Sequence, residues 1–176
     1  MKTSAKADSA SQGTLNNLSG MSVEAEVYAA CLKRGLQCDK RLKVSRGIAG
    51  DSTLSVFVRP VRGLFPKGLG INVFGQESSG SGADKIVYKV WNAVEGYDFP
   101  SIIVTYGNGR GLDRWVNWAK AQVGRDWCKT GDYRQLLGVL WLDEEFPQWL
   151  DECVSAGKIP ALVQRAPTQA VQGGLF

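Results

Sequence analysis

Apolar and polar positions follow a helical period near the start of the chain. Val23, Val27 and Cys31 recur at the spacing of one helix face, Ser22 is suited to cap that helix, and Gly35 is suited to end it. The pattern predicts a first helix from about residue 22 to residue 34.

Strict alternation replaces the helical period in the next part of the chain. The runs LSVFV at 54–58 and LGINV at 69–73 alternate, and the glycine-containing segment 63–68 separates them. We expect two paired strands joined by this turn.

The rest of the chain repeats a helix-then-strand pattern. The predicted elements are a helix at 86–94 closed by Gly96, an apolar strand at 102–104, a helix through Trp115 and Val123, a strand at 136–142 and a helix at about 144–154. The predicted order is α, β, β, β, α, β, α, β, α, with a right-handed crossover where a helix joins two strands. This order predicts an α/β fold in which helices flank a mixed sheet.

The two ends differ in composition from the middle. Residues 1–20 are rich in serine and asparagine, and residues 157–176 carry prolines, glutamines and paired glycines. We expect a flexible tail at each end and one domain at 21–156. No apolar run approaches the roughly 18 residues of a membrane span, and residues 1–20 contain no secretory hydrophobic region. The expected location is therefore cytoplasmic, with no membrane partner.

The composition of the chain excludes some catalytic mechanisms. The 176 residues include no histidine, which excludes every mechanism that needs an imidazole base or a histidine metal ligand. The four cysteines lack paired C-x-x-C spacing, so we expect free thiols. A net charge of +4 is compatible with a polyanionic partner but does not require one.

A serine- and glycine-rich segment between a strand and a helix is the most unusual stretch. Residues 76–84, QESSGSGAD, present hydroxyls and backbone N–H groups beside a predicted helix start, which suits a phosphate oxygen. The spacing of a P-loop is absent. From composition alone, a flexible connection is the simpler interpretation.

The same region resembles a known family. The run GQESSGSGADKIVYKV, followed by YDFPSIIVTYGNGR, resembles the small bacterial and phage PD-(D/E)xK nucleases of restriction-endonuclease-like fold. These proteins carry E-x-K-x-Q on a strand, then a G-S-x-x-E-K helix start, a helix and an I-P-x-I-I-V strand. The resemblance extends over roughly residues 21–152 and includes an opening helix with a glutamate.

The resemblance implies Mg²⁺-dependent cleavage of DNA by an aspartate, a glutamate and a lysine. Alignment on Gln76 places the glutamate position at Asn72, the lysine position at Phe74 and the aspartate position at Ser55. All three are substituted. The family positions that this chain retains around the site are Glu24, Gln76, Ser81 and Lys85.

Three functions remain open on this alignment. The first is DNA binding with a degenerate metal site, in which the predicted nucleic-acid contacts are Ser79, Ser81, Arg110 and Lys67. The second is an active Mg²⁺-dependent endonuclease that uses displaced ligands, Asp51 and Glu77, with Lys85 or Lys67 as the lysine. The third is a non-catalytic partner or inhibitor subunit of a nuclease, with a protein partner or a second copy of the chain on the former active-site face.

Two further groups could contact nucleic acid. Trp115 and Trp118 could stack on bases, although tryptophans three apart on a helix more often form core. Basic residues cluster after the first helix and around the predicted hairpin, where they could follow a DNA backbone. They are Lys33, Arg34, Lys40, Arg41, Lys43, Arg59 and Arg62.

Overall fold

The computed structural model describes residues 12–47, 50–75, 85–107, 111–123, 129–130, 133–134 and 136–160. Its helices are α1 (Gln12–Lys33), α2 (Lys85–Trp91), α3 (Leu112–Gln122) and α4 (Glu145–Ala156), and a π-helical turn (Asn92–Gly96) follows α2. Its strands are β1 (Cys38–Gly47), β2 (Gly50–Val58), β3 (Leu69–Gly75), β4 (Ser101–Tyr106), β5 (Lys129–Thr130), β6 (Tyr133–Arg134) and β7 (Leu136–Trp141).

Five strands form one mixed sheet in the order β1-β2-β3-β4-β7. The pairs β1–β2 and β2–β3 are antiparallel, whereas β3–β4 and β4–β7 are parallel. The general α/β fold, the predicted order of elements and the pairing of the two alternating runs are therefore confirmed. A short two-stranded sheet of β5 and β6 is additional.

The first helix is longer than the sequence pattern predicts. It begins at Gln12, so Ser22 lies inside the helix and the prediction that it is the N-cap is wrong. Residues 12–22 contain no proline, and once a helix has nucleated each further residue adds a hydrogen bond, so the helix extends into the range predicted as a tail. Its end agrees with the prediction, because Gly35 follows it with a φ of +76°.

Helices cover both faces of the sheet. On one face, α1 and α4 bury Val27, Cys31, Phe146 and Leu150 against alternate residues of β2, β3, β4 and β7. On the other face, α2 and α3 pack in a cluster that includes Phe74, Ile103 and Val139.

The β1–β2 ladder shifts register between Val44 and Gly47, and it also lacks one pair in its middle. Lys40 pairs with Val56 and Leu42 pairs with Leu54, but the pairing skips Arg41 and Ser55 between them. Arg41 has a φ of +51°, in the left-handed region that non-glycine residues rarely adopt. Beyond this point Leu54 packs with Tyr97 and Phe99 and not with the main core. The strand alternation is thus interrupted at Ser55.

Two expectations from composition can be compared with the described residues. Cys31, Cys38 and Cys153 are free thiols, as expected, whereas Cys128 lies outside the described residues. None of the helices in the described ranges is long and apolar enough to cross a membrane.

Candidate functional site

Ser55 and Asn72 meet where β2 and β3 stop pairing. The two strands are paired from Val58 with Leu69 to Val56 with Ile71, and the next residue along each strand is Ser55 or Asn72. Beyond the last pair, the backbone N–H of Val73 donates a hydrogen bond to the Ser55 hydroxyl oxygen at 3.1 Å. We call this place, with Ser55 and Asn72, the strand junction. Two positions that the alignment compared with metal ligands therefore lie side by side.

Asn72 is buried with an unpaired amide. Its side chain is 2% exposed, and its Nδ2 atom has no hydrogen-bond acceptor in the part of the chain that the structure describes. An unsatisfied buried donor costs about 1–3 kcal/mol of folding free energy. An acceptor oxygen supplied by a ligand would remove that cost, so the amide nitrogen suits an anion better than a metal cation.

Phe74, which the alignment compares with the motif lysine, belongs to the core. It lies two residues after Asn72 on β3, and its ring is buried with Ile86 and Val90 of α2. A phenyl ring provides no charge and no hydrogen bond to a reacting water.

The junction side chains do not fit Mg²⁺. This ion prefers carboxylate and other hard oxygen ligands in an octahedral arrangement. Ser55 already uses its oxygen as an acceptor for Val73 N–H, and Asn72 offers only a neutral amide. Over the described ranges as a whole, no group of three or more histidine, cysteine, aspartate or glutamate side chains could hold a metal ion.

Glu24 forms an ion pair with the basic side chain of Arg41. It is half-buried on α1, which packs on β1, β2 and β3, and its Oε2 atom lies 3.1 Å from Nε of Arg41. Arg41 is the residue that lies across from Ser55 in the interrupted β1–β2 ladder. The retained glutamate is therefore paired with a cation beside the junction.

Lys89 is a basic residue of this region that sequence analysis missed. It is half-buried on α2, one turn after the exposed Lys85. Burial lowers the pKa of Lys89, the nearby charge of Lys85 acts in the same direction, and the charge of Glu24 opposes both. The sequence did offer a signal for Lys89. It follows Lys85 by four residues, and this spacing places both lysines on the same side of one helix, on neighbouring turns.

The other predicted site residues lie elsewhere or outside the described part. Gln76, Glu77, Ser79, Ser81 and Arg110 lie outside the described residues. Lys67 is described and exposed, in the turn between β2 and β3.

Asp51 is separate from the strand junction. The structure places it in β2 at the register shift of the hairpin, between Ser52, which pairs with Val44, and Gly50, which pairs with Gly47. Ser55 follows it by four residues in the same strand, about 13 Å along an extended chain. Asp51 and Ser55 are therefore too far apart to share one metal ion.

Several basic residues are engaged by carboxylates. Arg34 contacts Asp151 through Nε at 2.6 Å and through a second nitrogen at 2.8 Å, which joins α1 to α4. Arg59 makes a similar two-bond contact with Asp39 at 2.9 and 2.7 Å. Each guanidinium holds the pKa of its aspartate below the usual range. The structure therefore favours a structural role for Arg34 and Arg59 over phosphate contact.

Other basic residues lie exposed on the edge strand. Lys40 and Lys43 are exposed on β1, and the Lys40 ammonium lies 4.3 Å from the centre of the Tyr28 ring. Lysines on an edge strand also discourage pairing with another sheet. These two residues remain available for electrostatic contact with a polyanion.

The two tryptophans of α3 belong to the core, as the sequence favoured. Trp115 and Trp118 are half-buried against the cluster of α2 and α3, with ring centres 6.3 Å apart and an edge-to-face arrangement. Among the residues whose burial the structure describes, the large exposed aromatic side chains are instead Tyr88 and Trp91 on α2.

Comparison with known proteins adds no relative. No protein-family model matches the chain, and a search of curated proteins returned no match.

Proposed function

We propose that this chain is a DNA-binding protein with a restriction-endonuclease-like core and a degenerate metal site. The observation that carries the proposal is the strand junction, where Ser55 and Asn72 lie side by side at the motif positions without a carboxylate. The family resemblance of the sequence supplies the nuclease context. The adjacency of these two neutral side chains supports a motif site that lacks its carboxylates.

The arrangement of elements around the junction supports the same interpretation. The resemblance implies an opening helix with a glutamate, a motif strand, a helix and a buried strand. The chain has α1 with Glu24, β3 with Asn72, then α2 and the buried β4, which pairs with β3 in parallel. Glu24 lies against Arg41, the residue across from Ser55.

The polar groups around the junction favour an anion. Asn72 offers an unpaired N–H, while Lys85 and Lys89 of α2 contribute positive charge. Glu24 is the acidic group of this set, and its pairing with Arg41 offsets its charge locally. Such a site suits a phosphodiester oxygen, since phosphate contacts supply most of the affinity of DNA-binding proteins.

The test restores the carboxylates and asks whether cleavage returns. We compare the natural chain with Ser55→Asp/Asn72→Glu, using nicking of supercoiled plasmid with Mg²⁺ or Mn²⁺ and with EDTA. Duplex DNA affinity is measured for each protein by fluorescence anisotropy at several salt concentrations. We expect the natural chain to bind DNA without nicking it, and the double variant to nick it only with metal, because two carboxylates would then hold the ion.

The matched control is Ser55→Asn/Asn72→Gln, which has nearly the same shape without the charges. It should not nick plasmid under any condition. Phe74 is left unchanged in all variants because a lysine in its buried position would disrupt the core. Metal-dependent nicking by the natural chain would refute the degenerate site, and the absence of salt-dependent DNA affinity in the natural chain would refute DNA binding.

A further inference from the structure

One face of α2 carries two large aromatic side chains in solvent. Tyr88 is 63% exposed and Trp91 is 50% exposed, and the other exposed large hydrophobic residues of the described chain are the non-aromatic Met21, Leu32 and Val154. Lys85, also exposed, precedes Tyr88 by three residues. We call Lys85, Tyr88 and Trp91 the α2 stripe.

The opposite side of α2 accounts for its folding. Ile86 and Val90 are fully buried against Phe74 and the residues of α3. The stripe residues are therefore not needed to hold the helix on the sheet. Most exposed helix positions in such proteins are polar. Two exposed aromatic rings on a helix that other residues already anchor therefore indicate a role other than folding.

We propose that the α2 stripe binds the unpaired bases of single-stranded DNA, an inference that rests on the proposed DNA-binding function. Residues three apart on a helix are neighbours, with side-chain origins about 5–6 Å apart, so the two rings can each take one base. Bases stack on aromatic rings without regard to sequence. Lys85 at one end of the stripe provides positive charge for a phosphate.

The charges along the helix set the direction of the contact. Lys85 and Lys89 lie at the start and middle of α2, whereas the exposed Glu95 lies in the π-helical turn beyond Trp91. Phosphates are favoured near the lysines and disfavoured near Glu95. The DNA backbone therefore approaches from the Lys85 side, while the bases lie on Tyr88 and Trp91.

The size of the stripe favours nucleotides over a protein. A stable protein interface buries about 800 Å² on each partner, whereas one large aromatic side chain buries about 150–250 Å². Two partly exposed rings fall well short of a protein interface. They match one or two stacked bases.

The test compares single-stranded and duplex DNA on the natural chain. A fluorescein-labelled oligothymidylate and its duplex with oligoadenylate are titrated at fixed salt, followed by anisotropy. Tyr88→Ala and Trp91→Ala should each weaken binding of the single strand about tenfold, from the usual contribution of a stacked base. Duplex affinity should change less than threefold.

Three variants separate stacking from other effects. Tyr88→Phe should keep the single-strand affinity, because the ring face remains. Leu32→Ala removes an exposed apolar side chain from α1 and should change neither affinity. Lys85→Ala should reduce the dependence of the logarithm of affinity on the logarithm of salt by about 0.7 for single strands, whereas the aromatic variants should leave that slope unchanged.

The outcomes distinguish the two proposals. If Tyr88→Ala and Trp91→Ala bind the single strand like the natural chain while DNA binding persists, the α2 stripe is not a stacking surface and the proposed function stands. If the natural chain binds neither DNA, both proposals are refuted. If the aromatic variants lose single-strand and duplex affinity equally, the stripe contacts DNA without reading unpaired bases, and the inference is wrong.

Discussion

Buried polar side chains differ in their hydrogen bonding between the parallel half of the sheet and its boundary with the antiparallel half. In the parallel half, Thr105 of β4 is fully buried and its hydroxyl donates a hydrogen bond to the backbone oxygen of Leu140 at 3.2 Å. At the boundary with the antiparallel half, the β1–β2 ladder skips Ser55, and Asn72 lies beyond the last β2–β3 pair while pairing in parallel with Ile103 of β4. Asn72 is buried with no acceptor for its amide nitrogen in the described residues.

The difference in charge follows the same division. The strands β4 and β7 are buried along nearly their whole length between the helix layers. The edge strand β1 exposes Lys40, Arg41 and Lys43. Buried parallel strands have their backbone and side-chain groups satisfied internally, whereas an edge strand has one side open to water.

The comparison indicates where a ligand would be bound. Proteins retain unsatisfied or strained groups mainly where function requires them, since each lowers the stability of the fold. Asn72 and Arg41 are two such groups, and both lie at or beside the strand junction. A third group, Nε1 of Trp149 on α4, also has no partner in the described residues and lies in the main core. The parallel ladder serves as the support, and its boundary with the antiparallel half holds the candidate site.

The largest expected change in the free energy of unfolding comes from replacing the buried polar side chains of Thr105 and Asn72 by apolar ones of similar shape. Thr105→Val should lower the free energy of unfolding by about 1 kcal/mol, because a satisfied hydrogen bond is lost. Asn72→Leu should raise it by about 1–2 kcal/mol, because an unpaired buried amide is removed. Urea denaturation of both variants beside the natural chain measures the two signs.

A loss of stability in Asn72→Leu equal to that in Thr105→Val would show that the amide has an acceptor in the folded protein. On the proposed function, Asn72→Leu should also weaken duplex DNA binding while it stabilises the fold. Opposite changes in stability and affinity are the signature of a binding residue that the fold does not need.

A smaller change in the free energy of unfolding is expected from substitutions of Arg41, where the backbone has a positive φ. Arg41→Gly and Arg41→Ala both lose the exposed contact with Glu24, so their difference isolates the backbone. Glycine should be the more stable of the two by about 1 kcal/mol, because only alanine has a Cβ that clashes in this conformation. Thermal or urea unfolding provides the comparison.

Lys43 on the same strand is the matched control for Arg41. Its backbone φ is negative, so Lys43→Ala should be more stable than Lys43→Gly, by about 0.5–1 kcal/mol. The same order of stability at both positions would contradict a left-handed conformation at Arg41.

The smallest effect is a pH dependence from Lys89. Burial lowers the pKa of this lysine in the folded protein, so between that value and the ordinary lysine value the unfolded chain binds more protons. Stability should therefore rise with pH in this window, since the cost of the buried charge is present below the folded pKa and is gone above the unfolded one. The control is Lys89→Met, in which the other titrating groups are unchanged.

The measurement is the difference in unfolding free energy between the natural chain and Lys89→Met from pH 7 to pH 10. The natural chain should gain stability relative to the variant as pH rises. A constant or falling difference would mean that the lysine is not desolvated in the folded protein.

Periodicity predicted the secondary structure well where one face of an element is buried. The alternating runs became β2 and β3, and the helical run at 86–94 became α2 with its π-helical turn. The start of α1 was misplaced because a serine before an apolar run resembles a cap wherever it occurs, while the helix extends through it. The alignment of Ser55 and Asn72 with the motif positions of the family stays a prediction, although the two residues lie side by side as that alignment implies.

The side chains of the candidate site could be predicted only in part. Glu24, Ser55, Asn72 and Lys85 came from the motif, but Lys89 and the α2 stripe did not. A pattern search reads Tyr88 and Trp91 as further apolar residues of a helix, and only the packed helix shows that they face water.

The sequence by itself predicted the main helices and strands in order and excluded imidazole chemistry. These properties depend on residue type and on neighbours within one or two turns. The tertiary structure decided which charged side chains form ion pairs, such as Arg34 with Asp151, which are 117 residues apart in the chain. It also decided which buried polar groups lack a hydrogen-bond partner among the described residues. Hydrogen bonds and ion pairs act only over a few ångströms, so they depend on how distant segments pack, which local periodicity does not encode.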